Sequence, residues 1–210
     1  AIADFGIQTL GYEEEYLTVA ELRFYEKTLH AKLVPYNEKI HQFRSAKEEW
    51  ELELMKKAQE ITDLAFSEVL GRIQPGMTEK QVQAELIYCM LKNGADGPAF
   101  SPIVVSGPKT SLPHGVPGDR VIQEGDFITM DFGALYKGYC ADMTRTVAVG
   151  YATEEMKKVY DTVLQAQLAG IAAANAFVPS ENGFVSALDN VFVQGVAPDA
   201  QLIAMKVFGK

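Results

Sequence analysis

Apolar and polar residues alternate over residues 7–12, and a period of two predicts a strand there. Thr18 with Glu21 three positions on forms a capping box, which opens a helix running towards Leu29. Residues 31–34 read as a short strand ahead of Pro35. Beyond Ala46 the period changes. Trp50, Leu54, Ala58, Ile61, Ala65 and Val69 recur at steps of three and four, so one face of a long helix is apolar. Gln74-Pro75-Gly76 ends it, because proline lacks the amide hydrogen and glycine tolerates the turn. Thr78 and Gln81 form a second capping box, opening a helix that finishes near Gly94. From Ala99 to Val149 the chain reads as strands and turns. Residues 102–105, 126–135 and 144–149 are rich in β-branched and aromatic side chains. Thr153 then caps another helix, with Met156, Val159, Val163 and Ala166 along one face. After about Asn175 charges become scarce, Ala and Val abundant, and the helical face stops. There is no internal repeat and no low-complexity tract.

Composition narrows the options. A chain of 210 residues has room for one domain, or one domain and part of another. Hydrophobic content of 48% and charged content of 22% match an ordinary soluble protein. A net charge of −9 argues against electrostatic binding to nucleic acid or an anionic membrane. Neither is expected as a partner. No apolar run approaches the roughly 20 residues of a membrane span, and no signal peptide is visible. Cys89 and Cys140 have no metal or disulfide spacing, which suits a reducing, cytoplasmic setting. The chain starts at Ala1, without methionine and in mid-pattern, as an internal fragment would.

The candidate chemistry lies in residues 124–146, EGDFITMDFGALYKGYCADMTRT. Asp131 and Asp142 stand eleven positions apart, on two runs separated by Tyr136-Lys137-Gly138-Tyr139. A hairpin there brings both carboxylates to one end of adjacent strands. Two converging carboxylates repel, and a cation between them holds both charged. Hard oxygen ligands suit divalent Mn, Co, Fe or Zn. On spacing alone, two aspartates near turns are also ordinary turn residues.

The run DFGALYKGYCADMTRT resembles the D-x-G…D-x-T-R-T signature of the pita-bread metallopeptidases: methionine aminopeptidases, prolidases and aminopeptidase P. Upstream, SGPKTSLPHG resembles that family's segment with a functional histidine, and the helix pair around QPGMTE resembles its opening helices. The resemblance covers roughly residues 1–174. Residues 1–45 are similar to the end of the separate N-terminal domain of prolidases and aminopeptidase P, which favours the Xaa-Pro branch. It implies an α+β, partial pita-bread fold, a curved antiparallel sheet with covering helices. Residues 46–175 would be the first half of the catalytic domain, and residues 176–210 an unrelated or divergent tail. It implies two divalent metal ions, Asp131 chelating one and Asp142 bridging both. His114 would orient substrate or stabilise the tetrahedral intermediate, with Thr144 and Arg145 supporting the aspartates. Phe100 would line the pocket for a proline-containing peptide, although a buried aromatic is equally often plain core.

The family's other ligands, a histidine and two glutamates, follow the second aspartate. After Asp142 this chain has no histidine, and its glutamates Glu154, Glu155 and Glu181 stand in no matching motif. Metal binding is therefore expected to be weak or absent, and the chain inactive alone. Residues 195–208 resemble a strand of subtilisin-like serine proteases, without any of that family's triad segments. This suggests a join near residues 175–180, with divergence as the competing explanation. Two readings follow: a metal-dependent exopeptidase acting ahead of proline, or a non-catalytic peptide-binding module or inactive chimeric fragment. An open sheet edge on a half-built domain further predicts self-association.

Overall fold

The computed structural model describes residues 4–174, 177–180 and 183–186. It divides into two compact units, Ala1–Lys47 and Glu48–Lys210.

The smaller unit runs β1 (Thr9–Tyr12), α1 (Val19–Thr28), β2 (Lys32–Pro35) and α2 (Asn37–Ser45). β1 and β2 pair in parallel, with Thr9 opposite Lys32, so α1 is the crossover that parallel strands require. Both halves of the Thr18–Glu21 capping box are present. Neither helix has a buried residue. The second helix has no strong periodic signature in the sequence. Its start is marked by Asn37, whose side chain accepts from the Glu14 amide at 2.8 Å.

The larger unit begins with α3 (Glu49–Leu70) and α4 (Glu79–Lys92), followed by β3 (Gly97–Pro98) and β4 (Ile103–Ser106). After a 3-10 turn at Gly107–Ser111 come β5 (Phe127–Phe132), β6 (Ala134–Tyr136), β7 (Tyr139–Cys140) and β8 (Met143–Ala148). Then follow α5 (Glu154–Ala174) and a paired β9 (Phe177–Ser180) and β10 (Gly183–Ser186). The strands before α5 make two antiparallel sheets, ordered β3-β6-β7 and β4-β5-β8.

Alternation along β5 decides what the second sheet covers. Ile128, Met130 and Phe132 are fully buried and point to one face. Against that face α3 sets Ile61, Ala65 and Val69, and α4 sets Val82, Leu86 and Met90. The Phe66 and Phe132 rings stack with centroids 6.3 Å apart. Each such buried side chain contributes roughly 1.5–3 kcal/mol, so this layer carries the stability of the unit. The Thr78–Gln81 capping box forms as the sequence indicates.

Three details differ from the pattern. Residues 126–135 are two strands, broken at Gly133, where the Ala141 backbone crosses close above. Trp50, assigned to the apolar face of α3, is 58% exposed; its ring meets Tyr139 edge-on, centroid to centroid 6.1 Å, and its Nε1 donates to Glu48 at 3.2 Å. It sits in the first turn of α3, ahead of the buried run that begins at Ala58. The apolar stripe of α5 is also open: Val159 is 53% and Val163 64% exposed. Among the described residues no helix is long and apolar enough to cross a membrane. The strand expected near residues 201–207 lies outside the described residues.

Candidate metal centre

A tight hairpin sets the position of Asp142. Lys137 and Gly138 both have positive φ, 48° and 85°, as a two-residue type I′ turn requires. Tyr136 faces Tyr139 across it, and the Lys137 amide donates to Asp96 Oδ2 at 2.6 Å. The chain therefore returns in register, and β8 pairs antiparallel with β5 so that Asp131 faces Thr144. Asp142 precedes Thr144 by two positions, so it shares that face with Asp131. Further along the same face the hydroxyls of Thr129 and Thr146 meet at 2.9 Å. One side of the sheet is thus apolar under the helices, and the other carries hydroxyls and carboxyls.

The electrostatics follow from this convergence. The Asp131 carboxyl is raised above its ordinary value of 3.8, first by burial and then by the charge of Asp142. The two carboxyl groups lie within hydrogen-bonding reach, which raises it further, while a Thr144 hydrogen bond and the charge of His114 act the other way. Asp131 Oδ1 is buried without a hydrogen-bond partner. An orphaned, desolvated carboxylate oxygen beside a second carboxyl fits one wall of a divalent cation site, since a cation offsets both the burial and the repulsion. It is not a full cage. Among the described residues no group of three or more His, Cys, Asp or Glu side chains converges to hold a metal.

His114 stands exposed at the tip of the segment after the 3-10 turn, near enough for its charge to act on Asp131. Arg145 turns to the opposite face, buried, with its guanidinium over the Phe66 ring at 5.9 Å. Its Nη1 donates to the Thr144 carbonyl at 2.9 Å, so it steadies the strand beside Asp131 through the backbone. Phe100 is half-buried in the bend between β3 and β4. A cleft of about 410 Å³ opens between β8 and α5, walled by Thr129, Thr144, Thr146, Val159, Tyr160 and Leu164. Neither aspartate, His114 nor Phe100 borders it.

The sequence does not announce Glu79. An acidic residue in the first turn of a helix ordinarily lies in solvent. Here it is fully buried, with partners 27 to 39 positions away. No local pattern encodes contacts at that separation.

The model of metallopeptidase family M24 matches residues 53–188. An uncharacterized peptidase of Bacillus subtilis is 38% identical over 195 residues, 92% of this chain and 55% of its own. The Xaa-Pro dipeptidase of Pyrococcus horikoshii is 39% identical over 171 residues, 80% of this chain and 48% of its own. The solved structure of the X-Pro aminopeptidase from Thermotoga maritima superposes with a TM-score of 0.79 at 41% identity. That match covers 84% of this chain and 51% of that one. The α+β fold is that of pita-bread prolidases and aminopeptidases over about half of their length. The chain spans about half the length of the curated relatives it matches.

Proposed function

Because the chain belongs to metallopeptidase family M24, we propose that it supplies the Asp131–Asp142 wall of a metal-dependent exopeptidase that cleaves Xaa-Pro peptides. The observation that carries this reading is the buried, unpartnered Oδ1 of Asp131 beside the carboxyl of Asp142. A buried carboxylate oxygen left without a partner is costly in a fold with no use for it.

Two divalent ions, of Mn, Co, Zn or Fe, when bound supply a water acidic enough to attack a peptide carbonyl near neutral pH. Asp131 and Asp142 would hold that positive charge, with Thr144 hydrogen-bonded to the Asp131 carboxyl. His114, exposed and near enough for its charge to act on Asp131, would donate a hydrogen bond to the carbonyl oxygen as it gains charge. Phe100 contributes an apolar wall for the proline ring. Two carboxylates and one imidazole do not complete a dinuclear site, so this chain alone turns over little substrate.

The test is Mn²⁺ binding to the chain, followed by hydrolysis of an Xaa-Pro dipeptide after residues 176–210 are replaced by a family-like C-terminal half. Weak binding, lost in Asp142→Asn, and turnover only in the completed chain are expected. Binding unaffected by Asp142→Asn overturns the assignment. A completed chain that binds the peptide without cleaving it favours a non-catalytic module instead.

A further inference from the structure

Glu79 is the first residue of α4, and its side chain accepts four hydrogen bonds. Oε1 takes the amide and the hydroxyl of Ser106, at 2.9 and 3.0 Å. Oε2 takes the ammonium of Lys109 at 2.6 Å and the amide of Gly118 at 2.9 Å. Ser106 ends β4, and Gly118 lies beyond the segment that carries His114. One carboxylate therefore gathers both ends of that segment. Lys109 reaches across it as well, donating to the Val116 carbonyl at 2.9 Å.

The surroundings reinforce the junction. The first amides of α4 donate to the same stretch, Glu79 to the Arg120 carbonyl at 3.1 Å and Lys80 to that of Gly118 at 3.2 Å. Arg120 donates to the Ser106 hydroxyl at 2.6 Å and grips Asp126 with two bonds, 2.7 and 3.0 Å. Among the described residues, the partners of the Glu79 carboxylate all lie at or between the end of β4 and Gly118, on either side of His114.

We propose that Glu79 is a positioning residue: through Ser106, Lys109 and Gly118 it holds the segment that presents His114 to Asp131. The inference rests on the reading of His114 as a working group of the Asp131–Asp142 site. A loop whose ends are unpinned samples many orientations of its tip, and a misplaced group loses its effect over about 1 Å. Four donors on two oxygens leave no room for a neutral substitute. The side-chain amide of glutamine is itself a donor on one side, so Glu79→Gln turns two of the contacts into donor against donor.

The experiment compares the intact chain with Glu79→Gln, both metal-free and with Mn²⁺ alone as a paramagnetic probe. Amide exchange is read by NMR at Gly118, and at Met130 and Arg145 in the β5–β8 ladder. Ring-proton relaxation of His114 is read with and without Mn²⁺. In Glu79→Gln, exchange at Gly118 should rise at least about tenfold with the ladder unchanged. Mn²⁺ should still bind, but relax the His114 ring several-fold less. Equal acceleration at Gly118 and in the ladder overturns the proposal, because Glu79 is then a general stabiliser. Unchanged His114 relaxation overturns it too. If Glu79→Gln does not fold, the same ratios are read in Lys109→Met, with Lys109→Arg expected to restore them. Absence of any Mn²⁺ relaxation in the unsubstituted chain sinks the metal reading, while the exchange pattern still decides whether Glu79 holds the segment.

Discussion

Gly133 and Ala141 approach so closely that a Cβ built on the glycine would collide with the Ala141 carbonyl oxygen. This contact joins the two sheets at the point where the chain passes from Asp131 to the hairpin and back to Asp142. The obstacle is backbone, which cannot rotate out of the way. Gly133→Ala should therefore cost at least about 3 kcal/mol, the upper part of the range for forced overpacking. It should also spread the two aspartates and abolish Mn²⁺ binding. A urea midpoint equal to that of the unsubstituted chain would contradict the geometry.

Thr62 in α3 ties that same region to the helices. Its hydroxyl is buried, accepts the Ala134 amide at 3.0 Å and donates to the Ala58 carbonyl at 2.8 Å. Thr62→Val keeps the shape and strands a buried N–H, at a cost of roughly 1–3 kcal/mol. Chemical denaturation measures it, and a neutral result would mean the Ala134 amide has another partner.

Asp131→Asn should act in opposite directions on stability and on metal. Without metal, it removes one charge of a repelling pair on adjacent strands, a gain of roughly 0.2–1 kcal/mol. With Mn²⁺ present, the ligand-induced rise in Tm should vanish. A variant both less stable when metal-free and still stabilised by Mn²⁺ would show that Asp131 is a structural residue.

Acid should loosen the His114 segment. Burial alone pushes Glu79 up, yet the bonds from Lys109, Gly118 and Ser106 together hold it below its ordinary 4.5. The Arg120 guanidinium holds Asp126 below 3.8, against the opposing effect of burial. With lowered pKa values in the folded state, the unfolded chain takes up protons first as pH falls. Their stabilisation is full above the ordinary values and is lost as pH drops through the folded-state values. Glu79→Gln should flatten the decline of stability below pH 4.5 in a titration of urea midpoints. An unaltered slope would mean that Glu79 titrates alike in both states.

The open stripe of α5 bears on association. Val159 and Val163, one turn apart, are more than half exposed, at 53% and 64%. Contiguous apolar surface of this kind promotes contact between copies. Gel filtration should find concentration-dependent species larger than a monomer, reduced by Val163→Glu. A compact monomer with one sharp calorimetric transition in the unsubstituted chain would count against it.

What could be read in advance was what is local. Thr18 with Glu21, Thr78 with Gln81, and the turn at Lys137-Gly138 each declare themselves within four residues, and each formed as read. The convergence of Asp131 and Asp142 followed from that turn. Gly133 was hidden inside what looks like one strand, because the break is set by a backbone eight positions on. The stripe on α5 was visible as a period, but a period announces a face and not its cover. Glu79 was least legible, since its burial depends on three partners far along the chain.

The pinning of residues 106, 109 and 118 to a single carboxylate has a consequence for descent with modification. When the ends of a loop are anchored, doubling its length costs only about 0.6 kcal/mol in closure entropy. The stretch around His114 therefore behaves as a cassette. Insertions and exchanges among the exposed residues 111–113 leave the anchor, the sheet and the aspartates as they were. A lineage that keeps Glu79 and Lys109 can rewrite what surrounds the imidazole while inheriting its frame unchanged.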